Sequence, residues 1–325
     1  EVNNSHSSLT LFNSFLNRLL VYCARLKKTR KMKKIALFGL ALTLGLVSCK
    51  KENTTTTDST FPTDNLTVDK QQNVFVMDKT GSWCQYCPNG TEQMIMEKAK
   101  HGDRVIGFAT HGGSDPLANT ASDLLINNFL DSAGFPTLLV MNENSGQDIA
   151  NNVLAAMNLP DLPYFGVKHS TAVTDSSINV YAKVECLNTI QNENFFVQSF
   201  LLLDGIEGRD YGNGIDLNQT SSLPIVTTGS GATPTKWALD AAFVNGEPQV
   251  KSGDIYTHDE AVFGVATNTQ TFWGHNLAEV NPFGTEFLAG DVLGTKYTPL
   301  LMSIKTDGLD YSQYNAKVTI ATIVW

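Results

Sequence analysis

Cys84 and Cys87 are the residues whose types and spacing point most directly to chemistry. They sit in the stretch Thr80-Gly81-Ser82-Trp83-Cys84-Gln85-Tyr86-Cys87-Pro88. An apolar strand pattern, Val74 to Met77, gives way there to a helical one, which is expected to run from Cys84 to Lys100. The opening amides of a helix are unpaired donors at the positive end of its dipole, so a thiolate is favoured there over a thiol. Cys84 is then the expected nucleophile, and Cys87, one turn on, can reach it to close a disulfide. A bare CxxC can equally be half of a zinc site or a static disulfide. No second CxxC and no histidine pair at finger-like spacing accompanies it, so no metal and no cofactor is expected.

The flanks favour redox chemistry. Trp83 before the pair and Pro88 after it complete a W-C-x-x-C-P signature that resembles thioredoxin-like proteins. Asp78, six residues before Cys84, matches the position of the buried acid that such proteins often place under the dithiol. Phe135-Pro136-Thr137 resembles their cis-proline loop, which faces the cysteines and pairs with substrate backbone. The resemblance implies Cys84, Cys87, Pro136 and Asp78 as catalytic positions and Trp83, Phe135 and Thr137 as substrate contacts. A carboxylate desolvated at the end of a buried strand would have a raised pKa and could relay a proton to Cys87. The competing reading of Asp78 is an exposed strand-end acid paired with Lys79. His111, beside Gly112 and Gly113, reads as a loop histidine rather than a proton shuttle.

The elements around these residues follow from periodicity. Strand, helix and second strand (Arg104 to Thr110) imply a parallel pair, followed by a helix from Thr120 to Ser132, a strand from Leu138 to Met141 and a helix from Gln147 to Met157. Leu159-Pro160-Asp161-Leu162-Pro163 ends that unit, since two close prolines cannot continue a helix. Beyond it the period becomes alternating. Strands are expected over Phe165 to Val173, Ile178 to Leu187, Phe195 to Leu203, Lys236 to Val244, Ala261 to Thr267, Tyr297 to Ile304 and Lys317 to Val324, an antiparallel β-sandwich. Cys186 falls on the inward face with Ile178, Val180, Ala182 and Val184 and reads as a core thiol. The acidic, glycine-rich run Asp204 to Asp216 lacks calcium-loop spacing and reads as a long loop. Trp273 reads as core or edge cover. The fold class is therefore α/β plus all-β, with a thioredoxin-like domain at 73–160 and a β-sandwich domain at 161–325.

The N-terminal region reads as an address. Met32, Lys33 and Lys34 precede an apolar run, Ile35 to Val47, too short to span a bilayer, and Leu46-Val47-Ser48-Cys49 resembles a bacterial lipobox. Residues 32–48 are thus expected to be a lipoprotein signal peptide and Cys49 the lipidated residue, its several acyl chains giving a stable membrane anchor. Residues 1–31 read as an upstream extension, and 49–72, rich in Thr, Asp and Asn, as a flexible tether. Eight of the 23 basic residues but one of the 32 acidic ones lie before Cys49, so the rest of the chain carries a net charge of −16. An acidic surface without a basic stripe argues against nucleic acid.

Lipobox, tether, CxxC unit and β-rich remainder together resemble the Omp-twenty-eight-related outer membrane lipoproteins of Bacteroidota. Tyr256-Thr257-His258 and Phe272-Trp273-Gly274 resemble segments of that family as well. The resemblance implies a cell-envelope location with outer-membrane attachment. Two functions are expected to compete. One is thiol-disulfide exchange with protein or peptide thiols and disulfides, the β domain giving a partner surface or a homodimer contact. The other is a cell-surface binding or adhesion lipoprotein whose CxxC is structural.

Overall fold

A computed structural model describes residues 60–325, apart from 131, 142, 147–148, 161–162, 213, 220–240, 245–246, 251–255, 270, 307–313 and 315. Cys49, the expected signal peptide and the expected upstream extension lie outside the described residues, as do positions 236–240 of one expected strand.

β1 (Val74–Thr80) is buried along its whole length, and its alternate residues serve two cores. Val74 and Val76 pack with Met94, Val105, Leu138 and Val153, while Phe75 and Met77 pack with Phe108, Leu125, Leu139 and Phe200. A strand covered on both faces is apolar where it packs, which is why Val74 to Met77 show no alternation, while Asp78, Lys79 and Thr80 at its end are buried polar residues. A turn over 81–86 leads into α1 (Cys87–His101), stopped at Gly102, whose φ of 62° suits glycine. β2 (Val105–His111) then lies parallel to β1, with Val74 opposite Val105 and Thr80 opposite His111.

α2 (Thr120–Leu125) opens on a capping box between Asn119 and Ser122 and continues as a wider turn to Leu130. After the cis Phe135–Pro136 bond, β3 (Thr137–Val140) runs antiparallel to β1. β4 (Glu143–Gly146), which the sequence pattern did not suggest, pairs with β3. α3 (Ala150–Met157) covers the Val74 and Val76 face through Val153 and Met157.

The second half is nearly all strand. In chain order it holds β5 (Phe165–Val173), β6 (Ser177–Cys186), β7 (Ile190–Gln191), β8 (Phe196–Asp204), β9 (Ile206–Gly208), β10 (Ala241–Val244), β11 (Glu247–Val250), β12 (Tyr256–His258), β13 (Ala261–Val265), β14 (His275–Asn276), a short α4 (Leu277–Val280), β15 (Glu286–Phe287), β16 (Val292–Leu293), β17 (Leu301–Lys305) and β18 (Lys317–Val324). The longer strands fall where alternation places them. The two- and three-residue strands carry no periodic signal.

The largest sheet has eight strands in the order β14-β8-β13-β2-β1-β3-β4, with β18 also paired to β8. The expected break near residue 160 falls between α3 and β5, and this sheet passes across it. The join is a parallel bridge between Ala261 on β13 and Ala109 on β2, where Ala109 N donates to Glu260 O at 2.9 Å. Lys98 on α1 pairs with the Glu260 carboxylate, and Phe108 meets Phe200 edge-on at 5.1 Å across the same seam. Each such buried ring contributes about 2–3 kcal/mol through the apolar area it removes from water.

A four-stranded sheet, β16-β6-β17 with β5 on β6, shares one core with β8: Val180, Ala182 and Val184 pack with Val197, Leu201 and Met302. Cys186 lies in this core, its thiol donating to Asn188 O at 2.8 Å and pushed up to about 11 by burial. Trp273 packs edge-on against Phe129 at 5.4 Å, within an aromatic group that includes Trp325. The molecule is mixed α/β and mostly sheet.

One expectation needs correction. The stretch read as a tether up to residue 72 is docked from Phe61 onward. Lys183 Nζ donates to Leu66 O at 2.7 Å and to Thr63 O at 3.3 Å, Ser170 Oγ donates to Pro62 O at 3.0 Å, and Asp69 bridges Val167. Backbone carbonyls make most of these polar contacts, and the apolar ones, Phe61 edge-on to Tyr181 and a buried Val68, are too few to show as a stripe, so composition concealed them.

Candidate functional site

Cys84 and Cys87 form a disulfide, with Cα atoms 5.4 Å apart. The helix begins three residues later than its pattern suggests. Tyr86 is its N-cap, Cys87 its first residue, and Pro88, which has no amide to leave unpaired, occupies the first turn. Cys84 therefore sits in the preceding turn rather than on the helix, with its amide donating to Gly81 O and its carbonyl accepting from Cys87 N. Both cysteines are buried, Cys84 at 5% exposure and Cys87 at 0%, while Trp83 and Tyr86 beside them are 45% and 55% exposed.

Trp83 lies on the cis-proline loop. Its ring centroid is 5.0 Å from that of Phe135, and Nε1 donates to Gly112 O at 3.3 Å. Gly113, at a φ of 70°, lets the indole approach. Thr137 donates to Gly134 O at 3.0 Å and fixes the exit from the loop. Lys79 does not pair with Asp78. Successive strand residues face opposite ways, and Lys79 Nζ instead donates to Leu130 O and Ala133 O, 4.7 Å over the Phe135 ring.

Asp78 is completely buried. Thr91 Oγ1 donates to its Oδ2 at 3.1 Å, and Oδ1 meets no donor among the described residues. Burial pushes the carboxyl up to about 7, the Thr91 bond opposing this in part. Gly90, three residues after Cys87, is what brings the helix onto this acid. A Cβ there would stand 2.8 Å from Asp78 Oδ1 and 3.0 Å from Pro136 Cβ. One small residue thus lets the dithiol helix, the carboxyl and the proline loop meet.

His111 is the last residue of β2, not a loop residue, and is buried. Its Nδ1 donates to Asp115 Oδ2 at 3.0 Å. The same oxygen accepts from Ser82 N, and Oδ1 accepts from Leu117 N at 2.7 Å. Burial alone would raise the Asp115 carboxyl. The hydrogen bond and charge of His111 and the two amides outweigh it and hold the group well below the usual carboxylate range.

Three residues that the sequence did not single out for the site come from the second half of the chain. Gln219 Nε2 donates to Gly81 O at 3.2 Å and to Cys84 O at 3.1 Å, so it clasps the CxxC turn. His258 packs edge-on against His111 at 5.2 Å, and its Nε2 donates to Leu217 O at 2.9 Å. Burial first, and the charge of His111 next, push His258 down to about 4. Tyr256 is buried beside it, its ring 4.8 Å from that of His258. No local signal marks these residues, because they reach the site through sheet pairing distant in sequence.

No family model matches the chain, and no curated protein matches it. Two solved structures are similar to it. HBP35 of Porphyromonas gingivalis has a TM-score of 0.49 at 14% identity, over 79% of this chain and 70% of that one. A protein from Agrobacterium tumefaciens has a TM-score of 0.37 at 10% identity, over 79% of this chain and 96% of that one.

What the site can do follows from its own geometry. A disulfide before a helix start, a cis-proline loop against that helix, and a buried carboxyl with one unpartnered oxygen form a thioredoxin-like arrangement. It holds two sulfurs that can exchange electrons and one group that can take a proton near neutral pH.

Proposed function

We propose that the chain performs thiol-disulfide exchange on protein or peptide substrates, from a thioredoxin-like unit joined to a β-sandwich. The observation that carries this reading is Asp78. A fully buried carboxyl with an unpartnered oxygen is destabilising wherever its only role is structural. Against Gly90, one helical turn after Cys87, it has a chemical use.

In the reductive direction the Cys84 thiolate attacks a substrate disulfide and one substrate sulfur leaves as a thiolate. Asp78 takes the Cys87 proton. Cys87 then attacks Cys84 Sγ, the bond from Cys84 to the substrate breaks, and the second substrate thiolate leaves. The dithiol gives up two electrons and the substrate disulfide accepts them. Trp83, Phe135 and Thr137 bound the surface on which a peptide would lie, with Pro136 against the helix. We place this chemistry in the cell envelope, on a protein anchored through lipid at Cys49 and related to the Omp-twenty-eight-related lipoproteins; the sequence motifs support this part of the reading.

A second reading is favoured by the burial of both sulfurs. In it the disulfide is static and the chain is a surface-binding lipoprotein on a retired redox fold. The test is to equilibrate the full chain with thiol buffers of graded potential, trap free thiols, and follow reduction of a model protein disulfide beside Cys84→Ser. Exchange that disappears in the variant supports the first reading. A pair that resists every buffer, with both proteins equally inert, leaves the second.

A further inference from the structure

The turn that carries the dithiol is closed by two successive backbone hydrogen bonds. Cys84 N donates to Gly81 O at 3.0 Å, and Cys87 N donates to Cys84 O at 3.2 Å. Gln219 Nε2, from the β-rich half, donates to the same two carbonyls, at 3.2 Å to Gly81 O and 3.1 Å to Cys84 O. Carbonyl oxygens only accept, so the side-chain amide must present its NH2 group here, with one proton for each. A single side chain thus spans both hydrogen-bonded steps of the turn.

The arm behind that amide is fixed. Leu217 is fully buried, its amide donates to Arg209 O at 3.0 Å, and its carbonyl accepts from His258 Nε2 at 2.9 Å. Asn218 N donates to Asp216 Oδ1 at 2.9 Å. β9 pairs with β12 beneath this arm, and Gly208 at the end of β9 makes room for it, since a Cβ there would stand 3.0 Å from Leu217 O. Gln219 is itself buried. A donor locked by packing on an anchored arm cannot follow a turn that changes shape.

We propose that Gln219 is a positioning residue for the exchange reaction, holding the Cys84 backbone where the disulfide needs it and so biasing the Cys84/Cys87 pair toward its oxidised form. The inference rests on the exchange reading and deepens it. Oxidation of the pair joins the two sulfurs and passes two electrons and two protons to the substrate disulfide, which becomes two thiols; reduction reverses this. Two sulfurs that no longer share a bond must move apart. Cys87 is held as the first residue of α1, so the movement falls on the preceding turn, whose carbonyls Gln219 grips. Those hydrogen bonds fit the disulfide better than the dithiol. The β-rich half is then part of the redox site, because it supplies the donor that sets the balance between the two states.

The full chain and Gln219→Met, similar in length but without a donor, are equilibrated with thiol buffers of graded potential, and reduction of a model protein disulfide is timed for each. Gln219→Met is expected to shift the balance toward the dithiol about fivefold, which is about 20 mV for a two-electron couple. Gln219→Glu, whose carboxylate turns acceptors toward the two carbonyls, shifts it further the same way. Should both variants fail to fold, deuterium exchange of the Gln219 side-chain amide is compared in oxidised and reduced wild type. Faster exchange in the reduced chain is expected, and equal rates overturn the inference. Equal potentials in wild type and Gln219→Met, with stability alone lowered, overturn it as well and leave Gln219 a purely structural residue. A potential that shifts in a chain whose wild type reduces no protein disulfide overturns the exchange reading but keeps the role of Gln219. A pair that no buffer reduces in either protein overturns both, so the failures are separable.

Discussion

Asp78 and Asp115 are two buried carboxyls serving the two ends of one short loop, and the protein treats them in opposite ways. Asp115 accepts from His111, Ser82 N and Leu117 N, and so is held ionised. Asp78 accepts one side-chain hydrogen bond, from Thr91, and is held near its midpoint at neutral pH. The number of donors, rather than burial, separates them. A carboxylate met by several donors is a fixed anchor for the turn that carries Cys84, while one left short of donors can take or give a proton near neutral pH.

The largest effect should come from removing the anchor. Asp115→Ala leaves Ser82 N, Leu117 N and His111 without their acceptor and is expected to lower unfolding free energy by about 3–5 kcal/mol. Chemical denaturation checks this. A loss within about 1 kcal/mol would mean that water replaces the carboxylate and that the contrast in donors matters little.

Asp78→Asn should do the reverse at alkaline pH. The folded carboxyl titrates near 7 against an ordinary 3.8, so the stability it contributes is complete below 3.8 and is lost as pH rises through 7. The asparagine variant is therefore expected to exceed wild type by something on the order of 2–4 kcal/mol at about pH 8, with the difference vanishing toward about pH 4. Denaturation curves at the two pH values decide it.

His258 supplies the opposite slope. Its folded value, about 4, is depressed from 6.5, so its contribution is complete above 6.5 and is lost as pH falls toward 4. His258→Gln should flatten that acid limb by roughly 2 kcal/mol, read from denaturation midpoints across the range. The smallest effect belongs to Gln219→Ala, which removes two neutral hydrogen bonds to the CxxC turn and should destabilise by about 1 kcal/mol while speeding reduction of the disulfide.

Much of the site's first half could be read in the sequence, and the reason is local. A CxxC between an apolar strand and a helix, a proline just after it, an acid at the strand end and a Phe-Pro-Thr strand entry each show within a few residues. The helix start was misplaced by three residues because Pro88, which sets the first turn, also fits the continuation of a helix begun at Cys84. Burial of Asp78 could be inferred from the strand that carries it, but the Lys79 pairing could not be dismissed before the carbonyls of Leu130 and Ala133 were seen to hold that lysine.

The other half of the site was hidden. Gln219, Tyr256 and His258 arrive through a bridge between Ala109 and Ala261, more than a hundred residues apart, and no periodicity foretells a sheet shared across such a distance. Tyr256-Thr257-His258 stood out only as a resemblance, with no role attached. The docking of residues 61–72 was hidden for another reason, since it leans largely on backbone acceptors that every residue possesses, with only Phe61 and Val68 adding apolar contact.

Whether Asp78 carries the proton for a Cys84/Cys87 pair able to exchange is tested most directly by one rate. The reduced full chain is mixed with a model protein disulfide, and its oxidation is timed between about pH 5 and pH 9 beside Asp78→Asn. Wild type is expected to speed up through a midpoint near 7, and the variant to be slow and to lack that midpoint. Equal rates with the same pH profile would contradict the claim, and so would a wild type that is never oxidised.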